Sequence, residues 1–243
     1  MQSPTYKELL DAGTHFGHMK SKWNPKMAEY IFMERRGIHI IDLNRTAECL
    51  DRACHVVRQM AKSGKKILFV ATKKQAREIV ADAARSVSMP YVTERWLGGM
   101  MTNFSTIKRS IKKMNNIDQM LQDGTLTSLT KKEKLTATRE RNKLERVLGG
   151  IANINRLPAA IFMVDIHHEH IALAEAHKLG MRTLAMVDTN SDPTSVDYPI
   201  PSNDDASKSI TIITHAITNA IKEGLNDRQK AREETEAAAK PAE

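Results

Sequence analysis

Cysteine is scarce in this 243-residue chain: its two copies, Cys49 and Cys54, stand five apart on a segment with helical periodicity. At about 100° per residue they face different sides, which excludes a disulfide between them and half of a tetrahedral zinc site. They read as small buried hydrophobes of a reducing compartment. Apolar runs are short, none approaching the ~18 residues of a membrane-spanning helix. Met1-Gln2-Ser3-Pro4 lacks the apolar core of a secretory signal, so a cytoplasmic protein without a membrane partner is expected. Phosphate-cradling glycine loops are missing too: neither G-x-G-x-x-G nor G-x-x-x-x-G-K-[ST] occurs, which disfavours a dinucleotide or P-loop enzyme. Aromatics make up only 5% of residues, and no stacked-aromatic RNA motif is present. No helix-turn-helix, zinc finger or basic zipper pattern points to DNA. No Ser/His/Asp or Cys/His set singles out a nucleophile, so no catalytic residue is assigned.

What the chain has is positive charge, +8 formally with a pI near 9.4. Its hydrophobic and charged fractions, 41% and 27%, are those of an ordinary globular protein. Between Phe104 and Leu148 there are 11 Lys and Arg against 5 Asp and Glu, a surplus of six that holds most of the net charge. A polyanionic partner is implied, and its place along the chain is marked.

Around that segment the pattern alternates between strands and helices. Residues 5–13 open with a capping-box pair, Thr5 and Glu8, and stop at Gly13. Strands are expected at 30–33, 38–43, 66–71, 91–94, 159–165 and 182–188, and helices at 46–64, 75–87, 169–179 and 204–223. The continuous apolar runs Lys66–Ala71 and Ala159–Asp165 suit parallel strands buried on both faces. The expected fold class is α/β: a doubly wound parallel sheet, formed as one discontinuous domain from residues 1–103 and 150–225. Residues 104–149 are an insertion, and the charged residues 226–243 are expected to be a disordered tail.

In doubly wound sheets ligands sit beyond the carboxyl ends of the strands. There this chain carries Thr72-Lys73, Asp165-Ile166-His167-His168 and Asp188-Thr189-Asn190-Ser191-Asp192. A structural Mg²⁺ or Zn²⁺ has weak candidates in His18, Asp188, Asp204 and Asp205, and no cofactor is assigned. Helix capping accounts for Asn203-Asp204-Asp205 without a ligand, and the His167-His168-Glu169-His170 cluster reads first as a helix start, with a metal site as the alternative.

In the insertion, Ile107, Ile111, Met114, Ile117 and Leu121 make one apolar seam, and Leu135, Ala137, Leu144, Val147, Leu148 and Ile151 can face it. With Asp123-Gly124 between them, this predicts two antiparallel helices forming a coiled-coil hairpin, about 25 Å long at ~17 residues per helix. Lys108, Arg109, Lys112 and Lys113 cluster near its base; Lys131, Lys132 and Lys134 lie near its tip, with Arg139 and Arg141 beyond. Together with Lys20, Lys22 and Lys26 in a basic loop, and Arg95, Trp96 and Asn103 at the root, they are the candidate RNA-binding residues. Trp96 can equally plug the gap between domain and arm.

The ordered motifs His15-Phe16-Gly17-His18, Trp23-Asn24-Pro25-Lys26-Met27, Ile67–Lys73, Arg95-Trp96-Leu97-Gly98-Gly99-Met100-Met101-Thr102-Asn103, Leu148-Gly149-Gly150, His168-Glu169-His170 and Asp188–Pro193 closely resemble those of the bacterial small-subunit ribosomal protein S-two family over residues 5–225. The resemblance implies a flavodoxin-like three-layer α/β/α domain with an inserted helical hairpin, and no catalysis. It further implies contacts to small-subunit ribosomal RNA at the head–body junction, and a role in docking the messenger-binding protein S-one beside neighbouring ribosomal proteins. The alternatives are a sugar-phosphate or nucleotide-binding enzyme using the carboxyl-end loops, and a protein-interaction module whose arm is a helical docking surface.

Overall fold

The computed structural model describes residues 4–122 and 130–239. In chain order the elements are α1 (Tyr6–Asp11), β1 (Phe16–Met19), β2 (Ile31–Arg35), β3 (Ile38–Ile41), α2 (Leu43–Lys62), β4 (Ile67–Val70), α3 (Arg77–Ser86), β5 (Tyr91–Val92), α4 (Phe104–Gln122), α5 (Lys131–Leu148), β6 (Ala160–Val164), α6 (His170–Lys178), β7 (Arg182–Val187), β8 (Tyr198–Pro201) and α7 (Ser207–Ala239). The capping box at Thr5 and Glu8 forms as expected.

The main sheet has five parallel strands in the order β5-β4-β6-β7-β8. Counted in chain order this is 2-1-3-4-5, the flavodoxin-like arrangement whose switch point lies between β4 and β6. Alternation along the central strands divides two cores. Ile67, Phe69, Phe162, Leu184 and Met186 face α2, α3 and α7, with the Phe69 and Phe162 rings edge-to-face at 5.4 Å. Leu68, Val70, Ile161, Met163 and Ala185 face α6 and the root of the α4–α5 pair. Because both faces are covered, the strands read as unbroken apolar runs. Ile107 and Ile111 of α4 belong to that second core, so the pair is seated where another layer helix would lie. Each of those side chains contributes roughly 1.5–3 kcal/mol by burial.

Several expectations need correcting. The 16–19 segment, where no strand is expected, is β1, which with β2 and β3 makes a three-stranded antiparallel sheet. Tyr198–Pro201, where Pro199 and Pro201 argue for a loop, is the edge strand β8. The Ser202 N–H donates to the Val187 carbonyl, so alternation turns the two proline nitrogens to the open edge, where no donor is needed. The α2 helix starts at Leu43, three residues before Thr46, because Asp42 accepts from the Asn44 N–H and caps it. The last helix does not stop at Glu223 with a disordered tail from 226; α7 continues to Ala239. Its extension is held to α2 by Arg58, which pairs with Asp227 at 2.8 Å and with Glu223 at 3.4 Å. Residues 240–243 and the Asp123-Gly124 turn lie outside the described residues. On the seam, Ile107, Ile111, Met114 and Ile117 are buried but Leu135 is 50% exposed, so the apolar contact weakens toward the start of α5.

Candidate nucleic-acid interface

The root of the helix pair is organised by a residue absent from the sequence reading, Glu175 on α6. Its buried carboxylate accepts from Trp96 Nε1 at 3.0 Å, the Gly99 N–H at 2.7 Å, the Met101 and Thr102 N–H groups at 2.9 Å each, and Thr102 Oγ1 at 3.0 Å. Burial pushes this carboxyl up, but the bonds from Thr102, Trp96, Met101 and Gly99 together outweigh it and hold the group below the usual carboxylate range. A five-bond acceptor fixes the Arg95–Asn103 turn so that α4 leaves at a set angle. Gly99 takes the positive φ of +85° that the turn requires. Gly150, on the return, answers a different need: a Cβ there would stand 2.1 Å from the Tyr91 carbonyl oxygen. The second glycine pair therefore serves close packing rather than a turn.

Trp96 is 8% exposed and hydrogen-bonded to Glu175, so it is the plug, and its face is not presented for base stacking. Asn103 is exposed and accepts from the Ser105 and Thr106 hydroxyls at the start of α4. Arg95 is exposed, with no ion pair among the described residues.

The remaining cations divide into tied and free. Lys20 pairs with Glu34 at 2.7 Å and Lys26 with Asp192 at 2.6 Å; Lys22, between them, is exposed. On the helix pair, Lys113 bonds Glu140 across the two helices, and Arg141 reaches Asp118 and Glu145. Lys108 Nζ donates to the Asn155 carbonyl at 2.8 Å and lies 5.0 Å from the Phe104 ring centroid. Arg109, Lys112, Lys131, Lys132 and Arg139 are exposed and Lys134 is half-buried; none has an ion pair among the described residues. Lys113 and Arg141 thus stitch α4 to α5, and the free set is what the pair presents outward.

The crevice beyond the carboxyl ends is partly filled from within, leaving a cavity of about 230 Å³ lined by Thr72, Arg77, Glu94, Arg95, His168 and Glu169 among others. Lys73, after β4, meets Asp204 at 2.7 Å, Asp205 at 2.6 Å and Asp165 at 3.3 Å. Burial would lower its pKa, but the Asp204, Asp205 and Asp165 carboxylates raise it further than burial lowers it. Glu169 accepts from the Thr72 N–H, and Asp165, at φ +67°, accepts from the His167 and His168 N–H groups. The histidine cluster is thereby a helix start. The helix expected from Asp204 starts at Ser207; Asn203 Oδ1 accepts from the N–H groups of Asp205 and Ala206 in the turn before it, and Asp204 turns inward rather than capping.

The weak metal candidates do converge. His18, Asp188 and Asp204 offer ligand atoms within 4.8 Å of one another. His18 Nδ1 lies 3.0 Å from Asp188, and that hydrogen bond holds the imidazole above its ordinary pKa against burial, with Asp204 and Asp205 adding to it. Burial, with Asp165 and Asp188, pushes the Asp204 carboxyl up to about 7 against the pull of Lys73. Its fully buried Oδ2 has no hydrogen-bond donor among the described residues. Asp205 lies at the edge of this group, 3.8 Å from His18 Nε2.

Fold and surface together define a class: a flavodoxin-like α/β protein with ion pairs of its own in part of the ligand crevice and with free positive charge on a seated helix pair. Residues 9–224 match the family model described as Ribosomal protein S2. The chain is 59% identical to the small ribosomal subunit protein uS2 of Cytophaga hutchinsonii over 94% of this chain and 90% of that one. It is 60% identical to the protein of the same name from Flavobacterium johnsoniae, over 96% and 91%, and 57% identical to that from Parabacteroides distasonis, over 98% and 86%. The chain belongs to the ribosomal protein S2 family. No helix among the described residues is long and apolar enough to cross a membrane.

Proposed function

We infer that the chain is a structural, non-catalytic constituent of the small ribosomal subunit, working in translation in the cytoplasm. Its membership of the S2 family carries the first part of that statement. The finer reading is that it binds small-subunit ribosomal RNA at the head–body junction by backbone and shape contacts. Exposed Arg109, Lys112, Lys131, Lys132 and Arg139 support it, because cations with no carboxylate partner on a fixed helix pair are positioned to neutralise phosphates. Lys22 and Arg95 add free charge near the domain. Lys113 and Arg141 serve the pair's own cohesion.

Docking of protein S-one belongs to the same reading, and the small antiparallel sheet has a surface suited to a protein partner. Phe16, Met19, Phe32 and Met33 are 49%, 53%, 71% and 48% exposed, a cluster of large apolar side chains of the kind that marks an interaction surface. A divalent ion at His18, Asp188 and Asp204 is a further element, favoured by the orphaned buried Oδ2 of Asp204. A nitrogen and carboxylate oxygens suit Zn²⁺, and added Zn²⁺ should raise the melting temperature of wild type but not of Asp204→Asn.

The RNA reading is tested by binding of the full chain to small-subunit ribosomal RNA across a salt series. Arg109→Glu with Lys112→Glu should flatten the log–log salt slope by about 1.4, at ~0.7 per contact with single-stranded RNA. A slope equal to wild type would remove the helix pair from the interface.

A further inference from the structure

At the amino-terminal end of the main sheet, opposite the carboxyl-end crevice, lies a groove of about 960 Å³. Three connections line it: the turn from α2 into β4, the turn from α3 into β5, and the segment that leads from α5 to β6. We propose that this groove is a second docking site for the sugar–phosphate backbone of RNA, continuous with the base of the helix pair. The proposal rests on the RNA-binding reading above and adds a surface that the sequence motifs do not mark.

Charge is the first argument. The lining carries Lys65, Lys66, Arg85 and Arg156 and no Asp or Glu. Some of that charge has an internal use. The carboxyl ends of α2, α3 and α5 abut the groove, each equivalent to about half a negative charge. Arg85 also bonds Asp82 at 2.7 Å, and Lys66 Nζ bonds the Ser88 carbonyl. Helix ends and Asp82 together offset about two and a half of the four lining cations. About one and a half positive charges remain, carried by Lys65 and Arg156: both are exposed and neither has an ion pair among the described residues. More cations stand at the rim. The Arg228 guanidinium lies against Gly64, with atoms 2.5–2.7 Å from where a Cβ would be, and Lys108 bonds Asn155.

The rest of the lining is compatible with RNA, and continuity with the helix pair favours it over an acidic peptide. Exposed carboxamides of Asn153 and Asn155 can donate and accept, as a ribose 2′-hydroxyl does, and Lys108 on α4 bonds the Asn155 carbonyl. Leu157, 43% exposed, supplies an apolar ledge, and the Tyr91 ring, with Arg85 5.4 Å from its centroid, forms part of the wall. Lys108 links the groove to the α4 base, so one RNA strand can follow both surfaces.

The test uses the full chain, small-subunit ribosomal RNA and a salt series, comparing Lys65→Glu/Arg156→Glu with Arg109→Glu/Lys112→Glu. The groove pair should flatten the salt slope by about 1.4, two contacts at ~0.7 each. Lys65→Gln/Arg156→Gln, which leaves less room for a folding defect, should flatten it equally at an unchanged melting temperature. If the groove variants bind like wild type while the helix variant is weakened, the groove is not an RNA site and the helix-pair reading survives. If wild type itself does not bind the RNA, the underlying reading fails. Polyglutamate that binds wild type but not the groove variants, while RNA binds both with the same salt slope, would identify an acidic-protein site and overturn the proposal.

Discussion

Replacing Glu175 by Gln changes one atom and should unlatch the root of the helix pair. A carboxamide keeps one acceptor oxygen, enough for the Trp96 Nε1 and Gly99 N–H bonds at 3.0 and 2.7 Å. Its NH₂ then faces the Met101 and Thr102 N–H groups, now 2.9 Å from an acceptor oxygen. Two backbone donors are left facing a donor. A buried unsatisfied donor costs about 1–3 kcal/mol, and Thr102 is only part-buried, so the total is about 2–4 kcal/mol. With roughly tenfold per 1.4 kcal/mol, exchange of the Met101 and Thr102 amides should quicken about 30- to 1,000-fold. Amide exchange by NMR resolves this, with amides in the middle of α2 reporting global opening. Local amides within twofold of wild type would refute the idea that Glu175 holds the root.

Other outcomes follow from the same contacts. Because the folded Glu175 carboxyl titrates below its ordinary 4.5, its contribution is complete above that pH and is lost as pH falls through the lower folded value; Glu175→Gln should lack that acid-side loss in urea midpoints. Gly150→Ala places a Cβ on the Tyr91 carbonyl, and urea denaturation should show a loss of about 1–3 kcal/mol, more than Gly98→Ala, where no atom lies within 4 Å. Lys73→Met strips the cation from buried Asp204, costing about 3–5 kcal/mol in thermal melts, and adding Asp204→Asn should restore part of it.

The sheet was legible because strands buried on both faces leave unbroken runs such as Ile67–Val70 and Ala160–Val164. The α4 seam was legible because a seated helix must repeat its apolar residues at helical spacing. Pro199 and Pro201 hid β8, since only the register shows that their nitrogens face the edge. The extension of α7 was hidden because charged residues held by a partner helix, as Asp227 is by Arg58, read as a solvated tail. Glu175 was invisible for a related reason: its donors come from residues 96–102, more than 70 positions away. Cation count marked the candidate interface, but only carboxylate partners separate Lys113 and Arg141 from Arg109 and Lys112. The groove cations are scattered over distant segments, and no local window of sequence gathers them.

The central claim is that the free cations of the helix pair hold the chain in the small subunit. Its most direct test is sedimentation of extracts containing the tagged full chain, wild type beside Arg109→Glu/Lys112→Glu. The account predicts that wild type travels with small subunits and not with large ones, and that a substantial part of the folded variant shifts to the top of the gradient. Wild type remaining unbound, or a variant that sediments as completely as wild type, would contradict it.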